Sequence, residues 1–114
     1  MQPKTPKLLA DIGDAAAFIL QGTAGKTLIE YQRDRQLRQA VERNFEIIGE
    51  AVNRLSRVEP AVAEKISSTA QIIAFRNLLI HGYDLINDTQ VWHVITGSLP
   101  TLLVEVQALL GSMG

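Results

Sequence analysis

Cysteine is absent from the 114 residues, which excludes a disulfide framework, a thiolate nucleophile, a cysteine-ligated zinc site and an iron–sulfur cluster. A cysteine-free chain fits a reducing compartment, and a soluble, cytoplasmic protein is expected. Histidine is nearly as scarce. His81 and His93 are the only two, and no acidic cluster falls at metal-loop spacing, so any chemistry is expected to be metal-free and no cofactor is expected. Aromatic residues number one Trp, two Tyr and three Phe, and nowhere does a sustained alternation of apolar and polar residues mark a strand. No uncharged apolar run reaches the roughly 18 residues of a membrane span, so no membrane association is expected. Lys4 and Lys7 precede an apolar stretch as in a signal peptide, but Asp11 and Asp14 interrupt it, and the segment is not expected to be a targeting signal.

What is present is apolar bulk in a helical pattern. A 46% hydrophobic composition over this length suffices for one core without covalent staples, and predicts a single domain over residues 1–114. Eleven basic residues against twelve acidic ones give a net charge of −1, so the chain as a whole exerts no strong pull on nucleic acid. The distribution is uneven: six arginines lie between Arg33 and Arg57, and no Lys or Arg follows Arg76. Contact with nucleic acid would be local, and a solvated helix face would carry the same arginine stripe.

The periodicity predicts an all-α chain, an antiparallel bundle of four main helices with short extra helices. The first helix is expected over Pro6 to Leu20, with Leu8, Ile12, Ala15, Ala16 and Ile19 inward, Thr5 as N-cap, and Gly22 and Gly25 ending it. A short piece at Lys26 to Gln32 leads to the strongest helix, Asp34 to Arg57. There Leu37, Val41, Phe45, Ile48, Val52 and Leu55 form one apolar seam about five turns long. Pro60 marks a connection over Ser56 to Ser68 with about one turn of helix at Ala61 to Ile66. A third main helix follows, capped within Ser67 to Thr69 and stopped by Gly82 in a positive-φ exit. Its inward positions are expected to be Ile72, Ile73, Phe75, Leu79 and Ile80. Asn87 or Asp88 caps a last helix to Leu110, broken at Gly97 to Pro100, where Ser98 can re-cap the second half.

The chemistry-bearing stretch is Phe75 to Asp84, where an arginine, a histidine and a tyrosine gather at the end of a helix otherwise filled with apolar residues. Arg76 and His81, five apart, differ by roughly 140° around a helix, whereas Asn77 and His81, four apart, share a face. His81 falls in the last turn, where the helix dipole favours positive charge. Arginine binds phosphate oxygens bidentately and stabilises charge that develops on them. Histidine can take the ribose 2′-hydroxyl proton or protonate the leaving 5′-oxygen. One imidazole does not readily do both in a single step, and a homodimer would bring two copies to one cleft. On spacing alone a helix-terminal histidine is more often a dipole-compensating cap, and a lone arginine in a helix more often an ion-pair partner. His93 and Trp92 read as packing or surface residues.

The run Asp34 to Ala51, the segment Arg76-Asn77-Leu78-Leu79-Ile80-His81-Gly82-Tyr83, Val91-Trp92 and Leu99-Pro100 together resemble the HepT-like toxins of the HEPN superfamily. These are partners of minimal nucleotidyltransferases in MntA–HepT, type VII, toxin–antitoxin pairs. The resemblance covers residues 8 to 110, and the segment fits the family signature R-x4-H-x-Y. It implies an all-α homodimer whose motif residues line a cleft between subunits, and a metal-independent RNase with RNA as substrate. It further implies Arg76 and His81 as the catalytic pair, Asn77 as an orienting residue, and Tyr83 as the hydroxyl that an MntA-like antitoxin AMPylates. A non-catalytic helical subunit that binds and regulates such a nucleotidyltransferase is the alternative.

Overall fold

The computed structural model describes residues 3–113. Seven α-helices follow one another: α1 (Thr5–Thr23), α2 (Leu28–Arg33), α3 (Arg35–Val58), α4 (Pro60–Ala63), α5 (Thr69–His81), α6 (Asp88–Thr96) and α7 (Ser98–Gly111), with a 3-10 turn at Tyr83–Leu85 after α5. No strand occurs among the described residues. The fold is the expected all-α bundle, with α1, α3, α5 and the α6–α7 pair as its main members.

Helix α1 lies between α3 and α7, while α5 packs on α3. α1 and α3 run antiparallel. At one end the Thr5 hydroxyl, completely buried, donates to Glu59 Oε1 at 2.7 Å. At the other, a Cβ placed on Gly22 would stand 3.7 Å from the Leu37 side chain. The α3 seam is the centre of the core: Val41, Phe45, Ile48, Val52 and Leu55 are all buried, facing Leu9, Ile12, Ala16 and Ile19 of α1. Leu37, at the start of the seam, is half-buried. Leu99, Leu102 and Val106 close the core from α7. Each such side chain contributes roughly 1.5–3 kcal/mol through removal from water.

Local chemistry shifts several expected boundaries. Thr5 is the first residue of α1 rather than its cap, and Lys4 at the N-cap position makes no side-chain capping bond. The hydroxyl goes to Glu59 because a buried O–H requires a partner, and that partner ties two helices together. α1 continues through Gly22 to Thr23, whose hydroxyl returns to the Ile19 carbonyl at 2.8 Å. The break comes at Gly25, with φ +74°. α2 begins two residues later than the periodicity suggests, because Thr27 and Glu30 form a capping box. Asp34 caps α3 by accepting from the Leu37 N–H at 3.0 Å. Pro60 starts α4 at a position where its missing N–H costs nothing.

Toward the C-terminus, Ser68 occupies the N-cap position of α5 without a capping bond, and the Thr69 hydroxyl donates to the Ala63 and Ile66 carbonyls instead. Gly82 has φ −120°, outside the left-handed region. Its N–H donates to the Leu78 carbonyl at 2.8 Å, and the chain tightens into the 3-10 turn. Asn87 caps α6 by accepting from the Thr89 and Gln90 N–H groups. α6 and α7 meet at Gly97 with a bend of 41°. Ser98 does not re-cap there, because Gly97 holds the N-cap position and Ser98 is already helical. Among the described residues no single helix is long and apolar enough to cross a membrane.

Candidate functional site

The site is built where α5 touches α3. At Gly49 the two helices approach so closely that a Cβ there would stand 2.1 Å from Arg76 Cβ and 2.5 Å from its Cγ. No side chain fits, so glycine in mid-helix lets the stem of Arg76 lie on the α3 backbone. One residue earlier on α5, Phe75 meets Phe45 of α3 edge-on, with ring centroids 5.1 Å apart, a favoured aromatic geometry. These two contacts fix how α5 is seated.

Arg76 is held at its tip as well. Its Nη2 donates to Glu50 Oε2 at 2.8 Å and its Nη1 to Asn77 Oδ1 at 3.0 Å, while Nε is buried without a partner. Glu50 accepts a further bond on Oε1 from Arg54 Nε, also at 2.8 Å. The Arg54 hydrogen bond, reinforced by the charges of Arg76, Arg54 and Arg57, holds the Glu50 carboxyl below its usual range despite some opposing desolvation. Arg76 and Glu50 open onto a groove of about 330 Å³ along α3, walled by Leu8 and Asp11 of α1, Ile80 of α5, and Arg43, Glu46 and Arg54 of α3.

His81 and Tyr83 are disposed differently. His81 is the last residue of α5 and exposed, and within the described residues its side chain makes no hydrogen bond or ion pair. Tyr83 opens the 3-10 turn with 76% of its surface exposed. Arg76 turns toward α3 while His81 faces solvent, as their angular offset around the helix requires. Asn77 was expected to orient His81 from the same face; its carboxamide instead accepts from Arg76, because the guanidinium beside it is the stronger, charged donor. Within one chain, then, the structure gathers Arg76, Asn77 and Glu50 and leaves His81 and Tyr83 at an open end. His93 is exposed, and Trp92 is half-buried against Tyr31, their rings 5.5 Å apart. Among the described residues no group of three or more His, Cys, Asp or Glu side chains is placed to hold a metal ion.

The α3 seam and the inward face of α6 and α7 are covered by this chain's own helices, leaving Val104 exposed in that region. On α5 only Leu79 is buried, because α5 has α3 as its principal neighbour. Ile80, Tyr83 and Leu85 stand exposed around its C-terminal end.

Half of the six arginines in the stripe are ion-paired among the described residues: Arg38 lies 4.0 Å from Asp88, Arg43 lies 3.5 Å from Glu46, and Arg54 binds Glu50. Sequence reasoning missed Gly49 and Glu50. A glycine inside an otherwise strong amphipathic helix is a signal of close backbone approach, whereas Glu50 carried no signal until Arg76 was seen beside it.

Comparison with known proteins identifies the family. Residues 12–109 match the family described as ribonuclease HepT-like. A candidate RNase of Caldanaerobacter subterraneus subsp. tengcongensis is 32% identical over 110 residues, covering 94% of this chain and 96% of that protein. Two candidate RNases of Methanocaldococcus jannaschii are similar. One is 28% identical, with 90% of this chain and 84% of the relative covered; the other is 29% identical, with 87% and 90% covered. No solved structure matches significantly. The chain, with R-x4-H-x-Y at the end of α5 and an all-α fold around it, belongs to the ribonuclease HepT-like family.

Proposed function

We propose that this protein is the toxin of a two-gene, type VII toxin–antitoxin pair: a metal-independent RNase that acts through Arg76 and His81 at a dimer interface and is silenced by AMPylation of Tyr83. Membership of a ribonuclease family and the names of the relatives support RNA cleavage. The observation that carries the reading furthest is the open end of α5. There an unpartnered His81 and a Tyr83 with 76% of its surface exposed sit beside Ile80 and Leu85, apolar side chains that this chain leaves uncovered.

In the proposed reaction Arg76 binds the scissile phosphate and stabilises the charge that develops on its oxygens, while His81 moves the proton. The 2′-oxygen attacks phosphorus, the bond to the 5′-oxygen breaks, and a proton leaves the first oxygen and reaches the second. Two histidines, one from each copy, would divide the acid and base roles around one cleft. AMP on Tyr83 adds a negative phosphodiester and a bulky nucleoside at the open end that carries His81, and in the shared cleft it competes with RNA for Arg76.

Incubation with ATP, magnesium and the nucleotidyltransferase encoded beside it tests the regulatory half. Intact-mass increments of about one AMP each, mapped to Tyr83 and lost in Tyr83→Phe, are expected, together with loss of RNA cleavage. Increments that persist in Tyr83→Phe would place the modification elsewhere.

A further inference from the structure

We infer that Glu50 is a positioning residue for Arg76, holding its guanidinium at the groove in the orientation that meets a phosphate; this rests on the reading of Arg76 as the phosphate-binding catalytic residue.

Three contacts define the arginine's pose. Its stem is pressed to α3 at Gly49, where a Cβ would stand 2.1 Å from Arg76 Cβ. Its tip is fixed at Nη2 by Glu50 and at Nη1 by Asn77. Nε is buried without a partner, so it serves neither solvent nor substrate. A guanidinium carries five N–H groups. With one N–H of each terminal nitrogen committed and Nε enclosed, one N–H remains on each terminal nitrogen to donate to a phosphate.

Glu50 is itself held. Arg54 binds Oε1 while Arg76 binds Oε2, so the carboxylate is oriented by one arginine as it orients the other. The cations around it, with the Arg54 hydrogen bond foremost, keep the Glu50 carboxyl below its usual range, so the acceptor stays ionised at neutral pH. Without Glu50 the only remaining hydrogen bond to the Arg76 tip among the described residues is that of exposed Asn77. The long side chain would then sample many rotamers that do not present its free N–H pair to the groove.

The test compares wild type, Glu50→Ala, Glu50→Gln and Arg76→Ala in single-turnover cleavage of a mixed-sequence RNA at saturating enzyme, alongside 15N NMR of the arginine guanidinium groups. Glu50→Ala should fold, should slow cleavage about 10- to 100-fold, as misplacement of a catalytic group does, and should free the Arg76 guanidinium to rotate. Glu50→Gln keeps an oxygen at the same place and should recover part of that rate. Three results would overturn the inference: a Glu50→Ala protein that cuts at the wild-type rate or faster, one that is slow with its Arg76 guanidinium still fixed, or one that fails to fold. Cleavage undiminished in Arg76→Ala would refute the catalytic reading itself and the inference with it.

Discussion

At Gly49 two residue-level effects oppose each other, and the structure shows which prevails. Alanine is favoured over glycine inside a helix by about 1 kcal/mol, so propensity alone makes Gly49→Ala stabilising. A Cβ 2.1 Å from Arg76 Cβ, however, meets the root of a side chain rather than its flexible end, and α5 must move to admit it. Forced overpacking of this kind costs about 1–3 kcal/mol. Gly49→Ala should therefore lower the urea midpoint and disturb Arg76; a raised midpoint would contradict the close approach. Glu42, half-buried on the same helix, makes a second case. Burial first, then the negative charges of Asp88 and Glu46, raise its carboxyl above the ordinary 4.5 against the pull of Arg38. A raised folded value means that its favourable contribution is full below the unfolded value and is lost as pH rises through the folded one. Glu42→Gln should thus stabilise the protein at neutral pH, and in thermal melts the gain should vanish below about pH 4.5. A gain that grew toward acid pH would refute the assignment.

The elements differ in how far sequence revealed them. α3 was legible almost throughout, because its seam repeats at helical spacing and meets the chain's own core; Val41, Phe45, Ile48, Val52 and Leu55 are buried as the pattern implies. α5 was legible as a helix but not in its packing. Ile72, Ile73, Phe75 and Ile80 carry the composition of a core helix, yet Leu79 alone among its residues is buried. Periodicity reports that a face is apolar and not what covers it. The same limit applies to ends. Thr27-Leu28-Ile29-Glu30 carries a capping-box signature, and the box forms in both directions, Glu30 N–H to Thr27 Oγ1 at 3.2 Å and Thr27 N–H to Glu30 Oε1 at 2.9 Å. Thr27→Ala should cost about 1 kcal/mol by chemical denaturation, and an unchanged stability would show that α2 is held by Tyr31 packing alone. At Gly82, by contrast, the expectation of a left-handed exit gave way to a 3-10 turn. That turn places Tyr83 outward, and nothing local in the sequence distinguished the two exits.

For the whole molecule, the legible part of the site was the motif, and the illegible part was its support. Arg76, His81 and Tyr83 were singled out from one stretch of ten residues. Glu50 and Gly49 lie 26 and 27 positions before Arg76, and only the packing of α5 on α3 brings them to it. The separation of an anchored Arg76 from an open His81, together with exposed Ile80, Tyr83 and Leu85, fits the proposal that each chain carries half of the site. A second copy would supply the rest. Sedimentation at micromolar concentration should show a species of twice the chain mass, and a monomer alone would remove the shared cleft. The central claim is metal-free cleavage by the motif pair, and it is tested most directly by single-turnover cleavage of RNA in EDTA by the unmodified protein beside His81→Ala. The wild type is expected to cut at full rate in chelator and the folded variant about 10²- to 10⁴-fold more slowly. Loss of wild-type cleavage in EDTA, or full activity in His81→Ala, would contradict it.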